Sequence, residues 1–190
     1  GFYFRPRIDW ELIEAYGKGL ICLTSDLRGL ISHYLLAGLP EEAEINLRRL
    51  QKVYGRENVF VELEDHPQIE HQVMVNGLLI DLAKTCQAPL VATNDVHYPT
   101  RDDSEAQDVL LCIKDNKQFD DIHRWRYLDD FSLKSEEQME KAFPDHPEAI
   151  SNTQEIAERC QLDFEFGVNL IPHFPTPKKK TAARYLRDLV

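Results

Sequence analysis

Three short apolar runs, separated by stretches of helical period, constrain this chain more than any other feature. The first, Leu20-Ile21-Cys22-Leu23-Thr24, follows Gly17 and Gly19. The second, Asn58-Val59-Phe60-Val61-Glu62-Leu63-Glu64, begins apolar and ends acidic. The third is Pro89-Leu90-Val91-Ala92-Thr93. Runs of this length bounded by turn residues read as strands. Between the first two, a helix is predicted over 29–36, closed by Gly38. Pro40 opens another, with Glu41 and Glu42 in its first turn and Ala43, Leu47, Leu50 and Tyr54 at helical spacing, until Gly55. A long helix is predicted over 68–86, with Val75, Leu79, Leu82, Ala83 and Cys86 on one face. After Pro99, Asp102 or Asp103 caps a helix whose Ala106, Val109, Leu110 and Ile113 are expected to face the core. Strand and helix alternating through short connections predict βαβ units and a parallel sheet, so the fold class is α/β. Three strands neither close a barrel nor complete a sheet. Further strands are expected upstream of Gly1 or in another chain.

In parallel α/β folds, chemistry gathers at the C-terminal ends of the strands. Each predicted strand ends on acidic or metal-capable groups: Asp26 after the first, Glu62 and Glu64 in the second, Asp95 and His97 after the third. Asp95 and His97 are two apart, so an extended backbone aims both at the same side. A carboxylate and an imidazole placed this way suit a divalent metal, and equally suit a hydrogen bond that pins a loop. Glu62 matches no ligand motif. Asp26, beside Ser25, is also an ordinary turn or cap residue. His66 and His71 flank a helix start and read as a solvated face.

The net charge of −11 makes this chain a poor nucleic-acid binder by itself, because phosphate neutralisation draws on Lys and Arg. No apolar run approaches the length of a membrane span. Gly1-Phe2-Tyr3-Phe4-Arg5 lacks an initiator Met and a signal pattern, and reads as a cut edge. Cys22, Cys86, Cys112 and Cys160 form no CxxC pair and are expected to be reduced, buried thiols of a cytoplasmic protein.

Past residue 116 the character changes. Residues 120–130 are charged and aromatic, with Trp125 and Tyr127 expected to anchor a loop. Ser135-Glu136-Glu137-Gln138 is a capping-box start for a short helix through Phe143. Pro147 opens another, bearing Ala149, Ile150, Thr153, Ile156, Ala157 and Cys160. A proline-punctuated stretch, Leu170-Ile171-Pro172-His173-Phe174-Pro175-Thr176-Pro177, leads to Lys178-Lys179-Lys180, which reads as a solvated linker. Thr181 then caps a final helix with Tyr185, Leu186 and Leu189.

Several of these pieces together resemble the alpha-subunit family of bacterial DNA polymerase III. They are Gly1-Phe2-Tyr3 with Pro6-Arg7-Ile8-Asp9, Gly19-Leu20-Ile21, Val91-Ala92-Thr93-Asn94-Asp95-Val96-His97-Tyr98, and Asp108-Val109-Leu110-Leu111-Cys112-Ile113. Glu148-Ala149-Ile150-Ser151-Asn152-Thr153 with Ile156-Ala157-Glu158-Arg159-Cys160, and Pro172-His173-Phe174-Pro175, complete the set in collinear order. The resemblance implies part of a distorted, TIM-like β/α barrel of the polymerase-and-histidinol-phosphatase (PHP) type, followed by a helical segment and an extended linker. By this likeness residues 1–116 are the C-terminal half of the PHP domain, 117–168 complete it or bridge onward, and 169–190 open the palm domain.

The family's PHP domain holds a metal cluster at its strand ends. In some members this supports 3′–5′ exonuclease activity; in others the domain is a scaffold, including for a separate proofreading subunit. The resemblance makes Asp95 and His97 the last two ligands and puts Asp26 at a position usually held by Cys. A hard carboxylate in place of a thiolate moves preference from zinc toward manganese or magnesium, or marks a site that no longer binds metal. Two or three ligands would leave the coordination sphere open in this chain alone. The polymerase's catalytic aspartates have no counterpart here. Magnesium for polymerisation, primer–template DNA and dNTPs are expected to engage other parts of the protein, alongside other replisome subunits and no membrane. The rival readings are a PHP-superfamily phosphoesterase acting on a small substrate such as histidinol phosphate, and a metal-free PHP interaction module.

Overall fold

The computed structural model describes residues 2–168, 174–177 and 180–190. Within these, two compact units form, 1–160 and 161–190. The Pro172-His173 and Lys178-Lys179 portions of the expected linker lie outside the described residues.

In the first unit, β1 (Phe2–Tyr3) and β2 (Arg5–Pro6) make a small antiparallel pair, and α1 (Trp10–Tyr16) follows. The Asp9 side chain caps α1 by accepting from the Leu12 amide. Then come β3 (Cys22–Leu23), α2 (Leu30–Leu36), α3 (Pro40–Tyr54), β4 (Val59–Glu64), α4 (Gln72–Cys86) and β5 (Leu90–Thr93). The sheet order is β3-β4-β5, parallel throughout, with Leu23 beside Phe60 and Glu64 beside Thr93. This is the α/β arrangement the alternation predicted, a partial barrel of the expected kind.

The two faces of β4 divide the work. Val59, Val61 and Leu63 point into the helical layer, where they meet Ile31, Leu47, Val75, Leu79 and Cys86. Phe60, Glu62 and Glu64 occupy the alternate positions, so the side that carries the strand-end carboxylates is opposite the apolar core. Two donors close the end of α4: Gln51 Nε2 and an Arg56 Nη2 both reach the Cys86 carbonyl at 3.1 Å.

Beyond β5, α5 (Ser104–Asp115), α6 (Glu136–Ala142) and α7 (Pro147–Arg159) complete the unit. Ser135 and Gln138 form the expected capping box of α6. Asn152 Nδ2 donates to the Leu90 carbonyl at 2.7 Å, fixing α7 against β5. On α7 the buried residues are Ala149 and Ile150. Two expectations need correction. On α5 the buried residues are Leu111 and Cys112, while Ala106, Val109, Leu110 and Ile113 are exposed. Cys160 is exposed and Cys22 half-buried, so only Cys86 and Cys112 are the buried thiols expected; all four are free.

In the second unit, α8 (Ala182–Leu189) is capped by Thr181, as its sequence predicts. The Phe174 ring stacks near Tyr185 at 6.1 Å, and Lys180 pairs with Asp188 at 2.7 Å. No helix among the described residues is long and apolar enough to cross a membrane.

Candidate functional site

The three parallel strands deliver their last residues to one rim. β3 leads into Ser25 and Asp26, β4 ends at Glu62 and Glu64, and β5 leads into Asn94 and Asp95. Together with Arg28 and Thr93 they line an open cavity of about 600 Å³. Asp26, Arg28, Glu64 and Asp95 also border an adjoining cavity of about 580 Å³, whose other walls include His66, His97, Trp125, Tyr127 and Phe131. Asp26, Asp95 and His97 therefore face one space.

Backbone conformation sharpens the rim. Ser25 (φ 69°) and Asp95 (φ 39°) are non-glycine residues in the left-handed region, each at the end of a strand. Such positions persist only where surrounding contacts hold them. For Ser25, Glu62 supplies such a contact. Its carboxylate accepts from the Ser25 amide at 2.9 Å and from Thr93 Oγ1 at 2.8 Å, while its own amide donates to Thr24 Oγ1 at 2.9 Å. One carboxylate on the central strand thus ties all three strand ends together. Sequence reasoning left Glu62 without a role, because its partners lie 37, 31 and 38 residues away.

Asp26 is held locally. Its Oδ1 accepts from the Arg28 amide at 2.8 Å, and its Oδ2 from Arg28 Nε and Nη2, each at 3.0 Å. Gly29 permits this loop. A methyl group there would overlap the Thr24 carbonyl oxygen and come within 3.0 Å of that of Asp26, both rigid backbone atoms. Gly29→Ala is expected to cost about 1–3 kcal/mol and displace Asp26. Urea denaturation measures the cost, and unchanged stability would show that the loop tolerates the shift.

Asp95 Oδ2 lies 3.2 Å from His97 Nε2, so this pair satisfies itself as well as lining the cavity. The His97 amide donates to the Phe131 carbonyl at 2.9 Å, and its ring sits 4.6 Å from that of Tyr127. Trp125, Tyr127 and Phe131 form a contiguous aromatic wall, with centroid distances of 4.5 and 4.6 Å. The expected loop anchor is thus present.

His66 requires correction. It is not on a solvated helix face but 1 % exposed, stacked on Phe131 at 4.1 Å; His71 is the exposed one of the two. Among the described residues neither ring nitrogen of His66 has a hydrogen-bond partner, nor does Asn94 Oδ1. Burial lowers the His66 pKa, against a smaller opposing pull from Asp129. Glu64 shows the electrostatic state of the rim most plainly. Burial first, then the neighbouring Glu62, Asp26 and Asp95 carboxylates, push its pKa up to about 8, against a smaller opposing pull from Arg28. Burial, with Glu62 nearby, likewise pushes the Cys22 thiol up to about 11, which makes it a poor nucleophile.

The donor set is rich in oxygen and negative charge, which suits a hard divalent cation. The arrangement does not close around one. Among the described residues no group of three or more His, Cys, Asp or Glu side chains is disposed to hold a metal ion, and Asp26 is engaged by Arg28. As they stand, these residues hold protons and tether loops.

The same chain matches known proteins along its length. Residues 1–66 match the PHP domain family model, a stretch that includes Asp26, Glu62, Glu64 and His66. The whole chain is 41 % identical over 192 residues to the DNA polymerase III subunit alpha of Treponema pallidum (strain Nichols), and 37 % identical over 196 residues to that of Thermus aquaticus. The alpha subunit of Pseudomonas aeruginosa is 38 % identical over 180 residues, covering 94 % of the chain. The chain spans only 16 % of the Treponema and Thermus relatives and 15 % of the Pseudomonas one. Alpha-subunit similarity running from one end to the other, with the PHP match over residues 1–66, places the chain in the DNA polymerase III alpha-subunit family, as a segment that includes part of the PHP domain.

Proposed function

We propose that this chain serves a replicative DNA-directed DNA polymerase as the C-terminal half of its PHP domain and the start of its palm domain, and that its contribution there is structural: it presents a rigid rim to neighbouring parts of the protein. The observation that carries this reading is Glu62, which spends its hydrogen bonds on joining three strand ends rather than on a substrate. Polymerisation itself, by metal-assisted attack of a primer 3′-hydroxyl on a dNTP, would use magnesium and carboxylates elsewhere in the protein. Primer–template DNA would be held elsewhere too, since the net charge of −11 opposes it here. A proofreading exonuclease subunit and other replisome subunits are the fitting partners, in the cytoplasm.

A second reading rests on the surplus carboxylates and the buried unpaired His66 and Asn94 groups. In the full-length protein, Asp26, Asp95 and His97, with donors from the rest of the domain, would hold zinc, manganese or magnesium and support 3′–5′ exonuclease or phosphoesterase action. The two readings separate on Asp95→Ala and His97→Ala in the full-length polymerase. Both variants are expected to keep primer extension within about twofold of the parent, because neither residue touches polymerase chemistry. Under the scaffold reading, bound-metal analysis finds no metal that these substitutions remove. Under the second, metal-dependent exonuclease activity falls about tenfold or more, together with metal content. A collapse of primer extension without unfolding would overturn the first reading.

A further inference from the structure

We propose that helix α5 is a docking surface for a second amphipathic helix, contributed by a part of the alpha subunit outside residues 1–190. The exposed apolar stripe of α5, made of Ala106, Val109, Leu110 and Ile113, packs against that helix, which runs antiparallel to it. This goes beyond the strand-end rim, since none of the four residues lines either cavity there.

The stripe itself is the first observation. α5 has apolar residues on two sides, of which Leu111 and Cys112 are buried. The other set lies at i, i+3, i+4 and i+7, the spacing with which a helix presents one apolar strip to a neighbour. Among the described residues that strip is uncovered: Val109 is 43 %, Leu110 58 % and Ile113 72 % exposed, and Ala106 is exposed as well. Single apolar residues scattered on a surface need no partner, but four in register on one helix face mark a contact.

Charge defines what fits. Asp102 and Glu105 stand at the N-terminal end of the stripe and Lys114 at its C-terminal end, all three exposed. Among the described residues none of these side chains has a hydrogen-bond or ion-pair partner. A helix laid antiparallel along the stripe brings its last turn beside Asp102 and Glu105 and its first turn beside Lys114. Basic residues suit a last turn and acidic ones a first, so this direction matches side-chain charges and helix dipoles together. A parallel helix would set two acidic first turns side by side.

Length supplies the occupant. The chain spans 16 % of the Treponema and Thermus relatives, so in a polypeptide of that size most residues are tethered to α5. A tethered helix binds in an intramolecular step and needs less intrinsic affinity than a separate molecule or a second copy.

The test places a photocrosslinking residue at Ala106 and, separately, at Ile113 of the full-length protein, with the products mapped by mass spectrometry. Both positions are exposed, so the probe leaves the buried core alone. Each probe is expected to crosslink within its own polypeptide, to one helical segment outside residues 1–190, the Ile113 contact lying N-terminal to the Ala106 contact. Leu110→Glu should cut the Ile113 yield roughly tenfold, because a carboxylate would have to enter an apolar contact. Leu110→Met should leave it within about twofold. Crosslinks between two copies, crosslinks confined to residues 1–190, crosslinks that form only when a separate replisome subunit is added, or probes that capture only water each overturn the proposal. A reversed order of the two contacts overturns it too, as does a yield that Leu110→Glu leaves unchanged.

Discussion

Replacing Glu64 with Gln is expected to stabilise the protein by about 2–4 kcal/mol near pH 9 and to change nothing near pH 4. The cause is the carboxylate crowding at the end of β4. Glu64 is 6 % exposed, and burial together with Glu62, Asp26 and Asp95 raises its pKa from 4.5 to about 8. Below about pH 4.5 the carboxyl is protonated in both folded and unfolded chains and contributes no pH dependence. Between 4.5 and about 8 the folded state keeps a proton that the unfolded state has released. Stability contributed by this group is therefore lost steadily as pH rises through that window, and the loss is complete above the folded pKa. Gln keeps the shape of the protonated side chain and cannot ionise, so the variant escapes the loss. Urea denaturation at a series of pH values gives both curves. Parent and variant running parallel from about pH 5 to 9 would show that Glu64 ionises freely in the fold, and the crowded-rim description would fall with it.

The strand ends were legible because they depend on local pattern. Leu90 and Ala92 join the core and Thr93 reaches the rim, and Asp95 and His97 come to the same cavity as Asp26 just past the strand end, although Asp95 (φ 39°) leaves the extended conformation. Caps are equally local, which is why Ser135 with Gln138, and Thr181, were readable. What could not be read was decided by distant chain. On α5, residues 109–113 are all apolar, so helical periodicity offers no single stripe. The fold buries Leu111 and Cys112 and leaves Val109, Leu110 and Ile113 exposed, a choice that the helical period alone does not make. His66 follows an acidic strand end and would be solvated if left alone, but Phe131, 65 residues later, covers it. Glu62 is the clearest case. Its importance lies in three bonds, each spanning more than thirty residues, that no local motif encodes.

Asp108→Ala is expected to lower Tm by about 10 °C and to loosen the aromatic wall beside His97. Both arms of the Arg124 guanidinium bond the Asp108 carboxylate, and that pairing holds the Asp108 carboxyl below the usual carboxylate range. Arg124 Nε also donates to the Phe119 carbonyl at 3.1 Å, and its side chain is only 2 % exposed. Removing Asp108 leaves a buried cation without its anion, which costs far more than an exposed pair is worth. The damage should spread in a defined direction. Arg124 sits one residue before Trp125, and Trp125 and Tyr127 pack on each other and toward His97. Trp125 is 57 % exposed and one of two tryptophans, so the Trp10→Phe background makes its fluorescence a direct report on this wall. Asp108→Ala should shift that emission to the red well below the global Tm. The paired replacement Asp108→Leu with Arg124→Met removes both charges and should recover most of the lost stability, because an apolar pair leaves no buried cation behind. If the double variant is no more stable than Asp108→Ala, the clamp holds the loop through shape rather than charge, and the electrostatic account of this wall fails.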